Sequence, residues 1–367
     1  MALLKGTIKS ALKLLLLVPL VLLVLWVNYF VDQTGLFRGD KFNLELAQIL
    51  LEGDPVSNFE KMDEREVLKL YIKNMPEAYN TVVIGSSRGL QITAAIAGES
   101  DSFYNMGMSG EDFYDIASTI SLLDKYDRMP QNMIIVLDPW ILNDMPESYS
   151  SRSDSNLANS FLNQTLGFDV PYQEEDKTVY NEALLDLDYF QKNIAYYFED
   201  HTGEERPSRV IGDVYLQKTE TKMPDGTLLY TEEYRNMDQE WVDREALTRV
   251  NAGYALGMYD FYELNQMRCE QFEAIVDYVL DKGVSVTFVL SPIHPIYYEH
   301  LASSECARGV LLAEEFYGDV ARQRGIAVFG SYDPEKANCT NADFYDGLHV
   351  RRESISKFFY GINASLV

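Results

Sequence analysis

Positive charge is scarce in this 367-residue chain, where 31 lysines and arginines face 57 aspartates and glutamates for a formal net charge of −26. A surface of that sign repels nucleic acid and anionic headgroups, so no nucleic-acid partner is expected. Cysteine is equally thin. Cys269, Cys306 and Cys339 have no metal-ligand spacing and cannot all pair within one chain, so a single bridge such as Cys306 to Cys339 is the most they allow. With four histidines and neither H-E-x-x-H nor paired Cys-x-x-Cys, no metal centre is expected. The chain also lacks a dinucleotide-type glycine fingerprint and the lysine and spacing of a P-loop, which leaves no cofactor to expect.

Apolar runs of near-spanning length are missing everywhere except at the start. Lys5, Lys9 and Lys13 precede an apolar stretch from Leu14 to Val27 that only Asn28 interrupts before Val31. Its uninterrupted part is shorter than the roughly 20 residues that cross a bilayer, so it suits either an anchor or the apolar region of a cleaved signal. No small-x-small cleavage site follows Trp26, and Trp26 and Tyr29 fit an interfacial belt. Residues 1–32 therefore read as a cytoplasmic stub and a transmembrane helix with the lysine-bearing end inside. The rest is expected outside the cytoplasm, attached to the cell membrane.

What is abundant is alternation. From Thr81 onward, short β-prone runs alternate with longer helical ones, the pattern of a doubly wound α/β domain over 81–367. The expected strands are Thr81–Gly85, Ser102–Gly107, Asn132–Asp138, Val284–Ser291 and Gly325–Ser331. The nearly continuous apolar or aromatic character of the second and third, with the alternation, predicts a mostly parallel five-stranded sheet with helices on both faces. Helices are expected near Glu111–Lys125, Tyr259–Lys282 and Leu311–Arg324, with a last one after Arg351. Residues 33–80 read as a connection. Residues 147–251, polar and rich in tyrosine, read as a large cap insertion, with the Pro-Asp-Gly of Lys222–Tyr230 marking a hairpin. The tyrosines there suit either sugar stacking or a subdomain core.

In an open parallel sheet, functional groups gather beyond the C-terminal strand ends. "GSSRG" closes the first strand, and its Ser87 is either a nucleophile or the cap of a following helix. "DGLHV" sets Asp346 three residues before His349, close enough for the carboxylate to orient the imidazole. Arg88 suits an anionic acceptor or an ion pair. His294, in "SPIHP", suits a substrate contact or a loop closed between two prolines, and Asp138 suits a turn cap or a ligand contact.

Together these motifs resemble the SGNH (GDSL-type) hydrolase family, over residues 80–145 and 280–367. Gly85-Ser86-Ser87 matches its nucleophile turn, with Ser86 where the family carries aspartate. "NMGMSG" resembles its second block, and the resemblance makes Gly110 an oxyanion donor. "DGLH" matches the closing Asp-x-x-His, giving Asp346 and His349. The third block departs: where the family has Gly-x-Asn-Asp the chain reads "LDPWILND", placing Trp140 near the asparagine as a substrate contact and Asn143 three residues on as a replacement donor. An anchored N-terminus with an altered third block resembles the extracytoplasmic branch that includes the teichoic-acid D-alanylation protein and polysaccharide O-acetyltransferases. The resemblance implies a serine esterase or O-acyltransferase on cell-envelope polysaccharide or polymer, with a multi-pass membrane acyltransferase as partner. The irregular third block leaves open a non-catalytic envelope protein that binds polymer or scaffolds such a complex.

Overall fold

Five short apolar runs pair side by side in parallel. A computed structural model describes residues 17–99, 102–143, 153–174, 177–199, 205–252 and 257–359. Its main sheet comprises β1 (Thr81–Gly85), β2 (Phe103–Asn105), β3 (Asn132–Val136), β4 (Ser285–Leu290) and β5 (Ala327–Gly330), in the order β2-β1-β3-β4-β5. Every neighbour is parallel, with Thr81 beside both Phe103 and Asn132. The run Thr81–Gly85 is buried throughout, which is why its valines and isoleucine show no polar alternation. Chain order reverses direction across the sheet at β1, and a crevice opens between the C-terminal ends of β1 and β3 at such a switch point.

One face of the sheet carries Val83, Ile134, Val136 and Val289. It is covered by Ala97, Val242 and the C-terminal residues Phe344, Val350, Ile355 and Phe359. On the other face Phe288 meets Phe272 of helix Gln266–Asp281, whose ring centroid lies 5.2 Å from that of Tyr317 in helix Arg308–Arg324. The expected α-helix after Arg351 is instead a 3₁₀ segment, Arg352–Lys357. Ser354 and Lys357, three residues apart, both bond the Asp343 carboxylate at 2.6 Å, which suits three residues per turn.

The chain divides into two compact units, Met1–Glu45 with Glu174–Pro207, and Leu46–Gln173 with Ser208–Val367. The stretch 147–251 is thus shared between them. In the first unit, Asn28 is the residue that breaks the apolar run, and it is fully buried. Its amide donates to the carbonyls of Ala183, Leu184 and Asp186, where helix Lys177–Leu185 ends and helix Leu187–Phe198 begins. Helix Val18–Phe30 exposes Leu20, Leu22 and Trp26. Among the described residues no helix is long and apolar enough to cross a membrane. The start of the apolar run and its three lysines lie outside the described residues.

The expected connection, 33–80, is divided between the units, and its part in the second, 46–80, does more than connect. Val56–Ser57 joins a four-stranded antiparallel sheet between Ser208–Arg209 and Thr221–Lys222, and the latter pairs with Leu228–Leu229 across the expected Pro-Asp-Gly turn. All three cysteines are free thiols.

Candidate active site

The turn after β1 is shaped by what cannot fit there. Gly85 has φ +140°, and a Cβ on it would stand 2.6 Å from the Val136 Cβ of the neighbouring strand. Only glycine accepts both conditions. The chain then rises into the 3₁₀ turn Ser87–Gly89, whose entry is capped by Ser86, with its Oγ accepting the Arg88 N–H at 3.2 Å. The cap is thus Ser86, which leaves the Ser87 side chain free of that role. Asn105, at the end of β2, fixes the turn from below by donating to the carbonyls of Gly89 and Ile92 and accepting the Gly107 N–H.

Ser87 is left half-buried, and its Oγ lies 2.9 Å from His349 Nε2 across 262 residues of sequence. The His349 Nδ1 faces Asp346, 3.0 Å from Oδ2 and 3.1 Å from Oδ1. A bridge between Phe344 and Val350 closes the loop that carries both residues, and the Tyr345 N–H donates to the His349 carbonyl at 2.8 Å. Inside it the Asp346 Oδ1 accepts the N–H groups of Leu348 and His349 at 2.7 and 2.9 Å. The three-residue spacing is what lets one carboxylate hold both backbone and ring.

Two residues absent from the sequence reading complete this carboxylate. Tyr234 donates to Asp346 Oδ2 at 3.1 Å, and Arg249 approaches the same oxygen at 3.2 Å. Burial works to raise the Asp346 carboxyl, but the facing imidazole, then Arg249 and the Leu348 N–H, hold it well below the usual carboxylate range. Both partners come from the stretch 147–251, whose tyrosine richness was the one visible signal. Tyr230 adds a ring edge-on to His349, with centroids 6.2 Å apart.

The other expected site residues divide. Gly110 lies in the loop between β2 and helix Phe113–Lys125 with φ +59°. The preceding N–H, of Ser109, is taken by Glu64 at 2.8 Å, whereas the N–H groups of Gly110 and Ser87 have no hydrogen-bond partner among the described residues. They suit oxyanion donors. Asn143 does not join them, because its amide donates to the Gly257 carbonyl at 2.6 Å.

Trp140 is no substrate contact either: it is 1% exposed, and its Nε1 donates to the Glu111 carbonyl at 2.9 Å, bracing the segment behind Gly110. Arg88, beside Ser87 in sequence, points into the core. It pairs with Asp138 at 2.6 Å and also donates to the carbonyls of Ser291 and Pro292. His294 is fully buried, its Nδ1 accepting the Ile296 N–H that opens helix Pro295–Ser303, and burial lowers its pKa despite Asp243 nearby. It closes a loop.

Among the described residues no group of three histidine, cysteine or acidic side chains is arranged to hold a metal ion. The arrangement supplies a hydroxyl, an imidazole in contact with it, a carboxylate behind the ring and two unspent backbone donors, which are the parts acyl transfer uses. No protein-family model matches the chain, and no curated protein matches it.

Proposed function

We propose that the chain is a serine esterase or O-acyltransferase of SGNH type, anchored in the cell membrane and acting on cell-envelope polysaccharide or polymer. The observation that carries the reading is the continuous contact from Ser87 Oγ through His349 to Asp346. Ser87 attacks the acyl carbonyl while His349 Nε2 takes its proton, and Asp346 stabilises the imidazolium that results. The carbonyl oxygen, now negative, is met by the N–H groups of Ser87 and Gly110. Collapse expels the alcohol, which takes the proton from His349, and leaves the acyl group on Ser87. Attack by water then makes the reaction hydrolysis; attack by a sugar hydroxyl makes it transfer. In either case His349 takes the proton of the attacking group and returns it to Ser87.

The extracytoplasmic placement rests on the apolar run with its preceding lysines and on the exposed Leu20, Leu22 and Trp26 of helix Val18–Phe30. A transferase outside the cytoplasm needs an acyl donor carried across the membrane, so a multi-pass acyltransferase is the partner this reading calls for. The second reading, a non-catalytic scaffold, draws on Asn143, whose amide is spent on Gly257 so that the side-chain donor of the third block is missing. A fluorophosphonate probe separates the two. It labels the wild type and spares Ser87→Ala if the triad is active; equal labelling of both, or of neither, removes the catalytic reading.

A further inference from the structure

A cavity of about 410 Å³ lies in the second unit, bordered by Leu90 and Ser109, which flank the nucleophile turn and the Gly110 loop in sequence. That volume is of the size that holds small ligands. Its polar wall is made of Glu60, Glu64, Glu220 and Lys222. Leu90 and Leu228 of the wall pack with Tyr230 and Tyr345, and the Tyr230 ring meets His349, so packed side chains link the cavity to the imidazole. Burial raises the Glu220 carboxyl, and the His349 charge works to hold it down.

Lys222 is the anomaly in this wall. It is 7% exposed, yet its ammonium makes no hydrogen bond or ion pair among the described residues. Burying an ammonium without a partner is costly, and a ligand that accepts its hydrogen bonds removes the cost. Three carboxylates and one ammonium on the wall leave a net negative cavity, hostile to phosphate or carboxylate groups. The carboxylates are also acceptors for hydroxyl donors, and Lys222 is a donor for hydroxyl or ring oxygens.

Building on the esterase or transferase reading, we propose that this cavity holds the alcohol side of the ester, that it takes an uncharged, hydroxyl-rich ring, and that Lys222 sets this specificity. A site built to hydrogen-bond hydroxyls rejects an analogue that lacks them, because its own polar groups are left unpaired. The glutamates reject an analogue that carries an anion.

The test compares four acetyl esters on the full chain: 4-nitrophenyl acetate, cyclohexylmethyl acetate, 6-O-acetylglucose and 6-O-acetylglucose 1-phosphate. The expected kcat/KM for 6-O-acetylglucose exceeds that for both the cyclohexyl ester and the sugar phosphate by about tenfold or more. Raising the salt, or combining Glu60→Gln with Glu220→Gln, narrows the gap to the phosphate. Lys222→Met narrows the gap to the cyclohexyl ester, through KM, and Lys222→Arg restores it. Equal handling of the sugar and the sugar phosphate, or of the sugar and the cyclohexyl ester, overturns the proposal, as does a Lys222→Met variant with unchanged ratios. Cleavage of 4-nitrophenyl acetate that depends on Ser87, with neither sugar ester cleaved, also overturns it. Cleavage of none of the four in a Ser87-dependent way sinks the underlying esterase reading instead.

Discussion

Arg249 lies 3.2 Å from the Asp346 carboxylate, and the glycine after Asp346 exists to admit it. A Cβ on Gly347 would stand 2.7 Å from Arg249 Cδ and 3.2 Å from the Ala246 Cα of the same helix, Gln239–Ala252. The glycine of "DGLH" therefore reflects a close approach between segments, whereas the glycine of "GSS" reflects a backbone angle as well. Asp346 in turn divides its two oxygens. Oδ1 serves the local N–H groups, Oδ2 serves Tyr234 and Arg249, and the imidazole faces both.

This division predicts different costs for different losses. Arg249→Met and Tyr234→Phe each remove one donor from Oδ2 and leave the His349 contact in place. A hydrogen bond to a charged group contributes about 1.5–3 kcal/mol, but Asp346 keeps its other donors, so a fall in kcat of about tenfold is expected for each, with little change in KM for a small ester. Steady-state kinetics of the two variants and of Gly347→Ala, which displaces Arg249, would check this. An unchanged kcat in all three would mean that Oδ2 plays no part in holding the ring.

Asp346→Asn is expected to be far worse. The amide can no longer hold the imidazole with Nδ1 protonated and Nε2 free to accept, so kcat falls by about 10³–10⁴ while folding persists. Fluorophosphonate labelling of Ser87 should slow in parallel, and a labelling rate equal to wild type would show that His349 acts without the carboxylate.

How far this site could be read in advance depends on the range of each contact. The five strands were legible because short β-rich runs alternate with longer helical ones, and the meeting of Ser87 with His349 and Asp346 was legible because these residues sit at a strand end or at local spacing. Strand ends were not. Ser102–Gly107 shortens to Phe103–Asn105 because the Asn105 side chain turns to bond Gly89, Ile92 and Gly107, beginning the loop. Tyr234 and Arg249 stand 112 and 97 residues from the carboxylate they serve, and no local pattern encodes such a meeting. Arg88 reads as either a substrate contact or an ion-pair member for the same reason, since Asp138, its partner, lies 50 residues on, just past β3.

That pairing makes Arg88 a structural residue despite its neighbour. Its side chain is 1% exposed and that of Asp138 is fully buried. Removing one member of a buried ion pair strands the other charge, at about 3–5 kcal/mol, whereas replacing both with apolar groups of similar volume can be nearly neutral. Arg88→Met should therefore lower the unfolding free energy by about 3–5 kcal/mol, and Arg88→Met with Asp138→Leu should recover most of it. Chemical denaturation of the single and double variants reads this directly. A single variant as stable as wild type would show that the pair with Asp138 does not hold the core together.

Glu111 supplies the pH dependence. It follows Gly110, is 1% exposed, and neither carboxyl oxygen has a hydrogen-bond partner among the described residues. Burial, then the nearby Asp115 charge, raise its pKa well above the ordinary value of 4.5. The folded chain thus favours the protonated acid. Below that ordinary value both folded and unfolded chains are protonated and Glu111 is neutral in the balance. As the pH rises past it, the unfolded chain ionises first and stability falls by up to about 1.4 kcal/mol per pH unit, until the folded carboxyl ionises as well. Glu111→Gln removes this slope. Whatever constant offset the amide brings, the Tm difference between variant and wild type should shift in favour of the variant between pH 5 and pH 8. The consequence reaches the chemistry, because the Glu111 carbonyl is braced by Trp140 and its backbone continues from the Gly110 donor. Ionising this side chain in the folded protein forces it toward water and drags the donor loop with it, so wild-type esterase activity should fall at high pH where Glu111→Gln holds. A Tm difference that stays flat across that range, with activity profiles that overlay, would show that the Glu111 carboxyl is already ionised and solvated.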